Sequence, residues 1–138
     1  MTPFHLAFPV RDLGETRAFY RDVLGCAIGR SSETWVDFDL YGHQMSAHLR
    51  PATAAAASDG QVDGKLVPIP HFGVVLLMDD WQALADRLLA RNDIDWLEKP
   101  MLRFAGEPGE QATLFIRDPS GNALEFKGFR SLEQVFAG

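Results

Sequence analysis

His5, His43, His48 and His71 are the four histidines of this 138-residue chain, and three of them occupy positions that repeat. His5 and His71 each sit at the opening of an apolar run, Phe4 to Val10 and His71 to Leu77. His48 lies in Ala47-His-Leu-Arg50, and Glu125 lies in the similar Leu124-Glu-Phe-Lys127. Neutral imidazoles and a carboxylate bind Fe(II), Mn(II), Co(II), Ni(II) or Zn(II) and leave coordination positions open for substrate or oxygen. A lone histidine is ordinarily a satisfied polar residue and a lone glutamate a solvated one. The repeat symmetry is what makes His5, His48, His71 and Glu125 candidates for one metal site. His43, beside Gly42, reads as a solvated turn residue.

These side chains need elements to carry them. Phe4 to Val10 reads as a strand, followed by Asp12 and Glu15 at capping-box spacing and a helix to about Leu24, stopped by Gly25. Thr34 to Tyr41 and Gln44 to Leu49 alternate with period two around Gly42-His43, the pattern of a hairpin. Val36, Phe38 and Leu40 share its oily face with Met45, Ala47 and Leu49, whereas Trp35, Asp37, Asp39, Gln44, Ser46 and His48 share the other. After a Pro-, Ala- and Gly-rich connector the order returns. His71 to Leu77 reads as a buried strand and Asp79 or Asp80 as the cap of a helix to about Arg91. A polar Gly106-Glu-Pro-Gly109 loop follows, then a hairpin of Ala112–Arg117 and Ala123–Lys127.

The expected architecture is therefore α+β: a single domain of two tandem βαβββ modules, the first about 1–50 and the second about 71–128, with a connector about 51–70. A tail, 129–138, carries Phe129, Leu132, Val135 and Phe136 at roughly helical spacing. Alternation turns His5 away from Leu6, Phe8 and Val10, and His71 away from Phe72, Val74 and Leu76. Both can then face one concave surface walled by Trp35, Asp37, Gln44, Thr113, Phe115 and Arg117, the candidate substrate contacts.

Composition narrows the function. Nineteen acidic against thirteen basic residues give a formal charge of −6, the wrong sign for neutralising phosphates, so no nucleic-acid partner is expected. The single cysteine, Cys26, supplies neither a disulfide nor a thiolate cluster and suits a reducing compartment. The longest uncharged apolar stretch, Val67 to Met78, falls well short of the ~20 residues of a membrane span. The opening Met1 to His5 lacks the basic and apolar segments of a secretory signal, so a cytoplasmic location is expected.

Three stretches resemble the vicinal oxygen chelate superfamily, which includes glyoxalase I, type I extradiol dioxygenases and the fosfomycin and bleomycin resistance proteins. They are Phe4-His-Leu-Ala-Phe-Pro-Val-Arg-Asp-Leu13, Ala18-Phe-Tyr20 with Val23-Leu-Gly25, and Asp118-Pro-Ser-Gly-Asn-Ala-Leu-Glu125. Trp35-Val-Asp37 and Gly42-His-Gln44 are similar to small proteins grouped as extradiol-type dioxygenases. The resemblance implies a curled mixed sheet forming a cup around a divalent metal, with His5, His71 and Glu125 as ligands and Fe(II) as the leading metal. Small-molecule substrate, dioxygen and a homodimer are the implied partners. The family's glyoxalase I members carry a glutamate where this chain is aligned at His48. That residue is left as either a fourth ligand or a catalytic acid/base. An extradiol-type dioxygenase acting on a catechol-like substrate leads, ahead of a glyoxalase-type isomerase or lyase, with a drug-binding resistance protein third.

Overall fold

The computed structural model describes residues 1–50, 58–62 and 65–137. They fall into two compact units, one of residues 1–58 with 118–122 and the other of residues 59–117 with 123–138.

In the first unit, β1 (His5–Val10) leads into α1 (Leu13–Ala18), which continues as a π-helical turn, Phe19–Val23. Then follow β2 (Ala27–Ser31), β3 (Trp35–Leu40) and β4 (His43–Leu49). The sheet order is β1-β4-β3-β2, with β1 parallel to β4 and the other pairs antiparallel. Asp12 caps α1 by accepting the Glu15 N–H at 2.7 Å, but the Glu15 carboxylate pairs with Arg11 and leaves the box half closed. Gly25, at φ 78°, ends the helical segment as expected.

Alternation along the hairpin is as read from the sequence: Val36, Phe38, Leu40, Met45 and Ala47 are buried. The turn is Tyr41-Gly42, with φ of 52° and 89°, so His43 is the first residue of β4 rather than part of the turn. Two successive left-handed residues match the right-handed twist of the flanking strands. The imidazole Nδ1 of His43 accepts the Phe4 N–H at 2.8 Å, an anchoring role that the expectation of a solvated residue missed.

The turn 118–122 completes this unit's core. Asp118 accepts the N–H groups of Ser120 and Asn122 on Oδ1, and the Tyr20 hydroxyl at 2.8 Å with the Asn122 amide on Oδ2. Asn122 also donates to the Pro9 carbonyl at 3.0 Å. Burial pushes the Tyr20 hydroxyl well above its ordinary pKa. It also raises that of Asp118, against the hydrogen bonds it receives.

Within the stretch expected as a connector, β5 (Ser58–Val62) and β6 (Lys65–Ile69) form a two-stranded sheet, while the rest of its Pro- and Ala-rich start lies outside the described residues. The second unit continues with β7 (Val75–Leu77), α2 (Met78–Leu89), β8 (Asp95–Arg103), β9 (Gln111–Arg117) and β10 (Ala123–Phe129), in sheet order β7-β10-β9-β8. β7 is shorter than the seven residues read from the sequence, because Phe72 makes only an isolated bridge to Leu124. No side chain caps α2, whose N-cap position is Leu77 and which takes Asp79 and Asp80 into its first turn, where carboxylates complement the helix dipole. Trp81, Leu84, Ala85 and Leu88 form its buried stripe.

β8, which the sequence reading left out, passes through Pro100 with two register shifts, a compromise that accommodates a residue with no N–H. Beyond it, the Glu110 carboxylate pairs with Arg130 and accepts the Gly106 N–H at 3.0 Å. The tail's helical spacing is realised as a 3-10 turn, Leu132–Phe136, tied to the preceding loop by Gln134 and the Pro108 carbonyl. Among the described residues, no helix is long and apolar enough to cross a membrane.

Candidate functional site

Strand register gives the repeat a chemical meaning. In the first unit β1 and β4 pair Leu6 with Met45, and in the second Phe72 bridges to Leu124, both in parallel. Setting the two histidine-bearing segments equivalent places Ser46 opposite Glu125 in the repeat, and His48 opposite Lys127. The sequence pairing of His48 with Glu125 therefore differs from the backbone pairing by two residues. Within the first unit, His5 lies beside Gln44, while His48 lies beside Pro9 and Trp35. His48 is four residues from Gln44 on β4, about 13 Å along a strand, so this unit does not bring His5 and His48 together. Asp37 is engaged across the hairpin, accepting from Ser46 at 2.6 Å and Gln44 at 3.1 Å.

The second unit does bring two of the candidate ligands together. His71 Nε2 lies 3.4 Å from Glu125 Oε1. His71 Nδ1 lies 2.7 Å from the Pro68 carbonyl oxygen. A carbonyl can only accept, so Nδ1 carries a proton and Nε2 is the ring atom that faces Glu125. The other carboxylate oxygen, Oε2, accepts the Thr113 hydroxyl at 2.9 Å. Phe115 braces the imidazole edge-on, with ring centroids 4.8 Å apart.

Gly73 makes this approach possible. A Cβ at that position would land on the Glu125 carbonyl oxygen, so only glycine lets the chain after His71 lie against β10 there.

These groups form one end of a cleft of about 510 Å³ within the second unit. Thr113 and Phe115, both expected at the site, line it; Thr113 acts as the positioning partner of Glu125. Glu98, Arg103, Gln111 and Lys127 also line it, and none of the four was expected at the site from the sequence. Lys127 was legible from parity alone, two residues from Glu125 on the same face of β10. Arg103 was not, because β8 carries no clean alternation. Arg117 is not among the cleft's lining residues, and its Nε is buried with no hydrogen-bond partner among the described residues. Trp35, Asp37 and Gln44 belong to the first unit.

An imidazole whose far nitrogen is fixed by a carbonyl, facing a carboxylate fixed by a hydroxyl, is a donor pair suited to a divalent metal. Two ligands about 2.1 Å from a common ion lie about 3 to 3.4 Å apart, which the His71–Glu125 separation meets. Among the described residues no group of three or more His, Cys, Asp or Glu side chains is gathered for a metal.

The sequence profile of the Glyoxalase/Bleomycin resistance protein/Dioxygenase superfamily matches residues 2–126. A crystal structure of a glyoxalase/bleomycin resistance protein/dioxygenase from Alicyclobacillus acidocaldarius is 29% identical, with a TM-score of 0.77 over 98% of this chain and 96% of that one. Fosfomycin resistance protein FosX from Listeria monocytogenes shares the fold at 15% identity, with a TM-score of 0.70 over 97% of each chain. Lactoylglutathione lyase from Agrobacterium tumefaciens shares it at 17% identity, with a TM-score of 0.58 over 99% of this chain and 97% of that one. No curated protein matches the chain.

Proposed function

Because the chain belongs to the glyoxalase/bleomycin resistance protein/dioxygenase superfamily, we propose that it is a metal-dependent enzyme of extradiol-dioxygenase type, acting on a small catechol-like substrate with two neighbouring oxygens. Members of this superfamily generally use divalent metals and bind small molecules. The observation that carries the proposal is the His71–Glu125 pair, with Nε2 and Oε1 3.4 Å apart. His71 and Glu125 would hold the ion. His5 is the third ligand, proposed from the sequence.

Bound there, Fe(II) supplies chelation of neighbouring oxygens and redox chemistry with dioxygen. The chain's own residues do the rest. The Pro68 carbonyl keeps His71 in the tautomer that offers Nε2. Thr113 holds Glu125 Oε2, leaving Oε1 as the ligand atom. Phe115 fixes the imidazole plane and offers an apolar wall to the substrate ring. His48 is proposed to move the substrate's hydroxyl proton, a role carried from the sequence.

Ser46 favours this reading over a glyoxalase-type isomerisation. It stands where the repeat would offer a second carboxylate base, and its hydroxyl is committed to Asp37. The test is metal analysis of anaerobically purified protein, followed by oxygen-uptake assays with catechols. Near-stoichiometric iron and catechol-dependent oxygen consumption are expected. Metal without oxygen uptake, coupled to isomerisation of a hemithioacetal, would overturn the reading.

A further inference from the structure

One carboxylate oxygen in the second unit is approached from two sides. His71 Nε2 lies 3.4 Å from Glu125 Oε1, and the Lys127 ammonium lies 4.0 Å from the same atom. The other oxygen, Oε2, is held by the Thr113 hydroxyl at 2.9 Å. Oε1 is thus the oxygen left for a cation, and Lys127 supplies one.

Lys127 follows Glu125 by two residues on β10, so both side chains leave the same face of the strand. β10 is an inner strand: Lys127 pairs with Thr113 of β9 on one side and with Val75 of β7 on the other. With the backbone held from both flanks, only the side chain can move. Glu125, whose side chain is 20% exposed and fixed by Thr113, is the stationary partner. Lys127 is 44% exposed on a flexible four-carbon stem, so its ammonium can turn from the carboxylate into solvent.

A divalent ion on Oε1 and an ammonium beside that oxygen carry like charge and compete for one atom. We propose that Lys127 is the resident counter-ion of the empty site, and that loading exchanges its ammonium for the metal. Lys127 then sets metal affinity without being a ligand. It compensates Glu125 when no ion is bound, and opposes the ion by repulsion when one is. The inference rests on the proposed metal site at His71 and Glu125, and adds its regulation: the site holds an exchangeable divalent cation.

Metal titration of the metal-free full chain tests this without reference to turnover. Zn(II) and Mn(II) are titrated by calorimetry at low salt into the unmodified protein and the Lys127→Met, Lys127→Gln and Lys127→Arg variants. His71→Ala identifies which binding belongs to the site. Both neutral variants should bind each ion about tenfold more tightly, whereas Lys127→Arg, which keeps the charge, should bind like the unmodified protein. Added salt should shrink the difference, because partly exposed charges are screened. A gain due to altered packing would neither follow salt nor be reversed by arginine. Equal affinity in folded unmodified and Lys127→Met proteins overturns the counter-ion role, as does Lys127→Arg behaving like Lys127→Met.

The same titrations separate this role from the reading it rests on. His71-dependent binding that ignores Lys127 keeps the metal site and sinks the counter-ion role. Binding that appears only in the two neutral variants supports the counter-ion role and sinks the reading of a metal-loaded enzyme. Tighter binding by the neutral variants of a protein that consumes no oxygen with catechols supports it too, and sinks the dioxygenase chemistry alone. No His71-dependent binding in any variant overturns both.

Discussion

Gly73 and Glu125 stand backbone to backbone, so close that the glycine's missing Cβ would occupy the space of the Glu125 carbonyl oxygen. This contact, two residues after His71, sets how that histidine faces Glu125. Gly73→Ala forces the two segments apart and should destabilise the second unit by about 3 kcal/mol. The measurement is urea unfolding followed by tryptophan fluorescence. A midpoint equal to that of the unmodified protein would show that the segments separate without cost.

The ligand assignment is tested by metal content. His71→Ala removes a partly buried imidazole from the cleft wall, so the fold should persist while bound metal is lost. His43→Ala should keep the metal, because that ring accepts a backbone N–H, and should cost about 1 kcal/mol of stability. Retained metal in folded His71→Ala protein removes His71 from the ligand set.

His48→Ala asks a different question. With His48 as an acid/base, an Fe(II) titration should be unchanged while kcat falls by about 10²- to 10⁴-fold. Metal affinity lost in proportion to activity makes it a ligand instead.

Tyr20→Phe deletes the hydroxyl that donates to Asp118 in the first unit's core, leaving the ring stacked on Phe38 with centroids 5.0 Å apart. Stability should fall by about 1–2 kcal/mol, read as a lower denaturant midpoint at unchanged slope. A full-strength Tyr20→Phe protein would mean that Asp118 draws its satisfaction from Asn122 and the turn's backbone alone.

The hydrogen bond from Arg130 holds the Glu110 carboxyl below its ordinary value, aided by the Gly106 N–H. A group whose folded pKa is depressed contributes stability above its unfolded pKa and loses it as pH falls through the folded one. Acid should therefore weaken the anchorage of the loop around Gly106, and Arg130→Gln should flatten that part of the stability profile. Hydrogen exchange of the Gly106 amide between neutral and acidic pH reads this directly.

The hairpin faces, the Asp12 cap, the α2 stripe and the repeat were legible because each rests on local periodicity. β8 was not, since Pro100 and two register shifts erase its alternation. The strand at His71 read too long for a related reason: apolar character continues where ladder pairing does not. Motif similarity paired His48 with Glu125, yet the turns differ, Tyr41-Gly42 in one hairpin and residues 118–122 in the other. Register resets accordingly, and Ser46 takes the place. Lys127 lay in plain view by parity. Arg103 required the tertiary fold.

The turn 118–122 has a consequence in time. As the chain emerges during synthesis, β1 to β4 and the helical segment come first, but the Tyr20 hydroxyl and the Pro9 carbonyl meet their partners only once Asp118 and Asn122 have been made. The early half must wait, incompletely satisfied, for most of the later half to appear. A ribosome stalled at residue 100 should hold a first sheet that proteases still recognise as open.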